Sequence, residues 1–297
     1  MKLAIVILNY NCADLTIQFY QEMKDYENID EFVIVVNNST DNSVEKFRLV
    51  QKNNHTHIIY NKYNGGYGYG NNIGIEYAYK KLRVTHVIVA NPDIHISKKC
   101  IGKMQEVFEI YPKSAVVSAV QRIPRGDKVI SCWNLYTKLE HILKGLVLCS
   151  KIIDFVNVSR LRKVQNYIYA DCVSGSMLMI DCEKFFQAGG YDENVFLYME
   201  EEIIGKRIKE LGYYTIVILD SFYIHEHGMT INKKHDFISQ RELLWKSREY
   251  YFRKYLRFNK LELKVSKSLF TIGTYELLFI KRMKQNTTWN RMDDLDV

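Results

Sequence analysis

Proline is scarce in this 297-residue chain, three in all, and no stretch is rich in serine and glycine, which argues against a long disordered linker. The six cysteines (Cys12, Cys100, Cys132, Cys149, Cys172, Cys182) form no CxxC pair and no paired metal-binding spacing. They read as reduced cytosolic thiols, most of them buried. No apolar run approaches the ~18 residues that would span a bilayer. The opening Met1-Lys2 and the apolar LAIVIL that follows lack a small-residue cleavage site and run straight into Asn9-Tyr10-Asn11. They read as a first β-strand, not a signal peptide. These absences predict a cytoplasmic protein that does not cross a membrane by itself.

Hydrophobic content of 47% and charged content of 25% are ordinary for a globular chain, and the length suits one large α/β domain with an appendage, or two small domains. Tyrosine is abundant, with 22 residues, which serves ring stacking on sugars or bases and equally well a tyrosine-rich core. The net charge of +7 is localised. Between Lys233 and Lys267 stand 11 Lys and Arg against 4 Asp and Glu, so this segment carries the whole excess.

Continuous Val/Ile-rich runs at Leu3–Leu8, Phe32–Val36, His57–Tyr60, Val87–Ala90 and Ala115–Val120 alternate with helical patterns at about 14–26, 41–52, 70–82 and 98–110. Strands buried on both faces look like this, so a doubly wound, mostly parallel sheet is expected. Residues 121–168 show no clear period. A strand over Tyr169–Ile180, helices over 182–188 and 199–211, a strand over Tyr213–Leu219 and a helix over 235–258 complete the pattern. Ligands of such sheets bind beyond the carboxyl ends of the strands. Three polar turns fall there: Asn9–Asn11, Asn37–Asp41 and Asn91–Asp93.

Four features carry chemistry. Asn91-Pro92-Asp93 places one carboxylate at a strand's end, suited to a divalent cation that clamps a pyrophosphate, although the same tripeptide is a common turn-former. The run Asn64–Asn72 (NGGYGYGNN) opens a helix whose free amides and glycines suit a phosphate or a sugar; it is a weak dinucleotide signal, because it follows the third strand. In Glu200-Glu201-Glu202, the first two acids extend the apolar stripe of Ile204, Ile208 and Leu211, whereas Glu202 aligns with Lys206 and Lys209 on the solvent side. Inward carboxylates suit a general base in a wet cleft, with helix-dipole stabilisation as the other role. His225-Glu226-His227-Gly228 can turn one ring into a site; a structural histidine is the alternative.

In order and spacing these pieces resemble the family 2 inverting glycosyltransferases of the GT-A fold, from about Leu3 to Gly228. They are joined by Asn37-Asn38-Ser39-Thr40-Asp41, Val173-Ser174-Gly175, Gly190-Tyr191-Asp192-Glu193 and Phe196-Leu197-Tyr198. The likeness is greatest to the rhamnosyltransferase-like branch of bacterial cell-surface polysaccharide synthesis. The resemblance implies a GT-A catalytic domain over 1–230, with a nucleotide-sugar half (1–120) and an acceptor half (121–230), then a basic aromatic helical segment (231–297). It implies Mn²⁺ or Mg²⁺ on Asp93, with His225 and His227 near the metal. It assigns Glu201 as base with Glu200 in reserve, and donor contacts to Asn9, Asn11, Asn37, Asp41, Gly66, Asn71, Asn91, Asp93 and Gly175. The donor would be a UDP- or dTDP-sugar and the acceptor a glycan or lipid-linked hydroxyl.

Two positions depart from the family. Val36 stands where an Asp often contacts the nucleobase, and Glu201 is one methylene longer than the commoner Asp. The basic aromatic segment 233–267 fits the anionic inner face of the plasma membrane, or else caps the catalytic domain or forms a homodimer. No nucleic-acid motif accompanies the charge. Rival readings are a sugar nucleotidyltransferase, disfavoured because Asn9–Cys12 replaces a Gly-rich first loop, a non-catalytic assembly scaffold, and a dinucleotide-dependent oxidoreductase.

Overall fold

The computed structural model describes residues 1–50, 53–129, 131–226 and 237–293, with side chains as far as 283. The first elements are β1 (Leu3–Asn9), α1 (Ala13–Met23), β2 (Glu31–Asn37), α2 (Ser43–Leu49), β3 (Thr56–Asn61) and α3 (Tyr67–Lys80). Next come β4 (His86–Ala90), β5 (Ile94–Ile96), α4 (Lys98–Ile110), β6 (Ser114–Arg122), β7 (Lys128–Val129), β8 (Cys132–Trp133), α5 (Lys138–Leu143) and α6 (Val147–Ser159). The chain continues through β9 (Arg162–Val164), β10 (Tyr167–Ala170), β11 (Cys172–Val173), β12 (Met177–Asp181), α7 (Cys182–Gln187) and α8 (Glu200–Glu210). It ends with β13 (Tyr214–His225), α9 (Phe237–Lys254) and α10 (Lys260–Asp293).

The main sheet runs β3-β2-β1-β4-β12-β6-β13-β10-β9. β1 to β4 are mutually parallel, as the continuous apolar runs predict, and β2 is buried at every residue because helices cover both faces. β12 is antiparallel to both β4 and β6, and β13 is parallel to β6. The carboxyl ends of β1, β2, β4, β6 and β13 therefore share one edge of the sheet with the amino end of β12. Every chemically suggestive turn of the sequence converges there.

Residues 169–180 do not form one strand. After Ala170 the chain leaves the main sheet, pairs Cys172 and Val173 with β8, turns at Ser174-Gly175 and returns as β12. That turn lies at the site edge, where a straight strand would have carried the chain past it.

The helix α3 lies close on the sheet because Gly70 and Gly74 share its inward face. A Cβ on them would stand 2.4 Å from Leu8 Cδ1 and 2.4 Å from Val6 Cγ1. The glycines of this segment thus serve helix–sheet contact as well as the loop.

Two apolar cores cover the two faces of the sheet, and a third joins Val195, Met199 and Ile203 to Trp245, Phe252 and Phe270 of α9 and α10. Trp245, Tyr251, Phe252 and Phe258 are buried in it, so these aromatics cap the catalytic part and are not offered to a membrane. Residues 233–236 of that basic segment lie outside the described residues. Among the described residues no helix is long and apolar enough to cross a membrane.

Asp192 is the polar tie of this third core. Its Oδ2 accepts from Tyr255 Oη (2.5 Å), Tyr250 Oη (2.9 Å), Lys254 Nζ (3.0 Å) and Arg207 Nη2 (3.3 Å), and Oδ1 takes Asn194. Burial alone would raise its pKa, but the hydrogen bonds from Tyr255, Asn194 and Lys254 outweigh it and hold the carboxyl well below the usual range. Asp192→Ala takes the shared acceptor from Tyr250, Tyr255, Arg207 and the exposed Lys254 and is expected to cost about 2 kcal/mol of stability, read as a lower midpoint in urea unfolding. Wild type should lose the same support only in strong acid, as pH falls through the depressed value.

Candidate active site

The turns after β1 and β2 are fixed from within. Asn9 is fully buried; its Oδ1 accepts from Thr16 Oγ1 (3.0 Å) and its Nδ2 donates to Ser39 Oγ (3.0 Å). Asn37, also buried, donates to Asn64 Oδ1 (3.0 Å) and accepts from Asn61 Nδ2 (2.8 Å), tying the end of β2 to the glycine loop. Asn71 is buried in α3, donating to Tyr67 O (3.0 Å), with an Oδ1 that accepts no hydrogen bond. These three shape the walls. Asn11 is half-buried, and its Oδ1 accepts from Thr40 N (2.7 Å). Asp41 is exposed and turns the chain into α2 by accepting from Ser43 N (3.0 Å). Asn11 and Asn38 both hold positive φ, 56° and 49°, a conformation asparagine tolerates and one that points these turns outward.

The glycine loop meets the segment that leads into the acidic helix. Gly66 has φ 96°, and a Cβ there would fall 1.9 Å from the Phe196 carbonyl oxygen, which accepts from Tyr67 N (2.9 Å). Beyond Phe196, Tyr198 and Met199 both adopt left-handed φ, 73° and 71°. Two such residues in succession store a few kcal/mol of strain. Burial of Met199 in the third core holds the bend, and the bend aims the first turn of α8 at the sheet edge.

At that first turn Glu200 is buried and its Oε1 accepts no hydrogen bond. Burial, then the charge of Glu201, pushes its pKa well up. Glu201 accepts from Gly175 N through Oε1 (3.1 Å), and burial raises its pKa too. Glu202 departs from expectation. Lys206 pairs with Glu210 (2.6 Å), while Glu202 is half-buried and its carboxyl is pushed up to about 7 by burial and by Glu201, against the pull of Lys144 and Arg248. The charges that act on Glu202 are instead Lys144, just after α5, and Arg248 of α9, both far from it in sequence.

A raised pKa means folding favours the protonated acid, so the stability contributed by Glu200 is complete below the ordinary Glu pKa and is lost as pH rises through the raised one. Glu200→Gln removes that loss. The variant is expected to melt above wild type at about pH 8, with the gap closing near about pH 4, in paired thermal scans.

Asp93 and His225 come together because β5 pairs with β13 and sets His225 opposite Ile94. His225 Nε2 stands 3.2 Å from Asp93 Oδ1, out of line for a hydrogen bond, and that buried oxygen accepts none among the described residues. A carboxylate oxygen lacking a proton donor beside an imidazole fits a divalent ion, with the remaining ligands supplied by the diphosphate and water. Among the described residues no three His, Cys, Asp or Glu side chains converge on one point. His227 and Gly228 lie outside the described residues.

One short segment stitches the two halves together. Gly175 gives its N–H to Glu201 and takes the Tyr67 hydroxyl on its carbonyl (2.5 Å), while Ser176 O accepts from Asn91 N (2.9 Å). Beneath it, Ser176 Oγ, Tyr223 Oη (2.8 Å apart) and Gln121 form a buried chain, and Gln121 Nε2 lies 3.4 Å from His225 Nδ1. Sequence reasoning missed Gln121 and Tyr223, since single polar residues within strands carry no local signal, and Ser176, next to the Val173–Gly175 motif; Tyr67 lay within the Asn64–Asn72 run but was given no role of its own. A cavity of about 20 Å³, enough for one water, touches Tyr67, Gly175, Glu200 and Glu201. A larger hollow of about 510 Å³ lies away from them, between α1 and β13, lined by Phe19, Tyr26, His95 and Phe222.

Known proteins share this architecture. A mannosyltransferase from Pyrobaculum calidifontis, solved with GDP-Man and Mn²⁺, superposes with TM-score 0.61 at 16% identity over 98% of this chain and 83% of that one. GalNAc-T7, solved with UDP, GalNAc and Mn²⁺, gives 0.58 at 12% identity over 94% of this chain and 57% of that one. In sequence, a low-salt glycan biosynthesis hexosyltransferase of Haloferax volcanii is 27% identical over 202 residues, 67% of this chain and 59% of that one. An N-acetylglucosaminyl-diphospho-decaprenol L-rhamnosyltransferase of Mycobacterium tuberculosis is 24% identical over 143 residues, 47% of this chain and 46% of that one. The matched region thus spans about half the length of these relatives. The family model described as Glycosyl transferase family 2 matches residues 4–185, more than half of the chain. With the parallel sheet, the Asn91–Asp93 turn and the inward acids of α8 all inside or beside that match, the chain belongs to glycosyl transferase family 2.

Proposed function

We propose that this chain is an inverting glycosyltransferase that moves a sugar from a UDP- or dTDP-sugar to a hydroxyl of a glycan or lipid-linked acceptor. The observation that carries the reading is the Ser174–Ser176 segment, which binds Glu201 through one residue and the Asn91–Asp93 turn through the next. A base and a diphosphate anchor need to face one crevice, and this segment ties both to one edge. The hexosyltransferase and decaprenol-linked rhamnosyltransferase relatives, and neighbours solved with Mn²⁺, support the same class.

Asp93 and His225 would hold Mn²⁺ or Mg²⁺. When bound, the ion neutralises charge on the departing nucleoside diphosphate. Glu201, positioned by Gly175 N–H, takes the proton of the acceptor hydroxyl as that oxygen attacks the anomeric carbon from the side opposite the diphosphate, which inverts the centre. Its raised pKa makes it a stronger base than an exposed glutamate. The buried walls of Asn9 and Asn37 keep the donor turns rigid, so little ordering is left for the transition state.

Thermal shift with UDP, dTDP and GDP, each with and without Mn²⁺, tests the reading. A nucleoside diphosphate at about 100 times its Kd should stabilise the chain by about 2.7 kcal/mol, a rise of several degrees, and should need the metal. No shift with any of them would leave the scaffold reading in its place.

A further inference from the structure

The helix α10 carries a second, outward stripe. Leu261, Val265, Ile272, Tyr275 and Phe279 recur at helical spacing on one side, opposite Leu263, Phe270 and the close contact of Gly273 with Gly145 O. All five are exposed, Tyr275 by 68% and Phe279 by 65%. On α6, Leu148, Ile152 and Phe155 repeat the pattern, with Phe155 75% exposed. The helices touch: Val147 N, at the start of α6, donates to Glu276 Oε2 on α10 (2.8 Å). Two neighbouring apolar stripes left exposed among the described residues are too large a feature to be scattered surface residues.

The charges beside the stripes say what would cover them. Lys264 and Arg282 sit one position before Val265 and Met283, Lys260 and Lys267 lie on the same flank, and Lys151 adjoins Ile152; all are exposed. Of the acids nearby, Glu262 pairs with Lys138, and Glu276 accepts from Val147 N but keeps its charge, one acid against these five cations. The rim is therefore positive. A second copy of the same face would set like charges against one another, whereas an anionic surface complements them.

We infer that α6 and α10 form a face that lies on an anionic lipid bilayer, the apolar stripes at the acyl boundary and the lysines and arginine among the headgroups. This relocates membrane contact from the buried aromatics of α9 to the outer side of the next helix. It does not depend on the sugar-transfer reading.

Flotation of the full chain with phosphatidylcholine vesicles, with or without phosphatidylglycerol, tests it. Wild type is expected to float with the anionic vesicles alone and to be released by high salt. Phe155→Ser/Phe279→Ser and, separately, Lys260→Glu/Lys264→Glu/Lys267→Glu should each weaken partition at least about tenfold with unchanged circular dichroism melts. Absent flotation, equal binding to neutral vesicles, or variants that float like wild type would overturn the proposal. So would light scattering that shows a wild-type dimer which Phe155→Ser/Phe279→Ser splits into monomers.

Discussion

Glu201→Gln is expected to lower the transfer rate by about a thousandfold while leaving nucleoside diphosphate affinity within a small factor of wild type, a result read from kcat alongside thermal shift. The amide keeps the size of the side chain and can still accept from Gly175 N, so the Ser174–Ser176 turn and the first turn of α8 stay in place. What it cannot do is take a proton. The pH profile gives a second readout. Burial raises the Glu201 pKa, and a base works only when deprotonated, so the acid limb of kcat/KM should lie above the ordinary glutamate range of about 4.3, with activity rising as pH climbs through it. Because Glu200 and Glu202 are raised as well, the limb belongs to the cluster and not to one residue. Near-normal turnover in Glu201→Gln would remove the proposed base and shift attention to Glu200→Gln.

Asp93→Asn should cost transfer at least about a hundredfold and should also abolish the metal-dependent part of the nucleoside diphosphate thermal shift. Its Oδ1 already accepts no hydrogen bond, so the isosteric amide removes charge from the anchor without opening a hole in the fold. His225→Ala should act in the same direction but more weakly, since an imidazole is replaceable by water in an oxygen-rich coordination shell. If Asp93→Asn binds nucleoside diphosphate with undiminished metal dependence, the anchor lies elsewhere.

Much of this was legible along the chain. Uninterrupted Val/Ile runs announced strands covered on both faces, and the turn after each strand marked the edge on which the candidate site lies. Asn91–Asp93 and Glu200–Glu201 stood out because a lone carboxylate after an apolar strand and two acids on an apolar stripe each need a reason. The segment 169–180 misled because its apolar pattern is continuous, and only pairing with β8 pulls Cys172 and Val173 out of the main sheet. Glu202 misled because helical spacing describes one helix in isolation, whereas Lys144 and Arg248, distant in sequence, act on it once the chain has folded.

What the sequence determined by itself was the alternation of strands and helices, the polar turns at strand ends, and the residue types from which a site could be assembled. These follow from local periodicity, which each segment carries within itself. Tertiary structure alone decided that Gly175 would hold Glu201, that β5–β13 pairing would bring His225 to Asp93, and that Trp245, Tyr251 and Phe252 of α9 would be buried while Tyr275 and Phe279 of α10 face outward. Each of these joins residues far apart in the chain, and such contacts exist only once the whole sheet and its covering helices have packed.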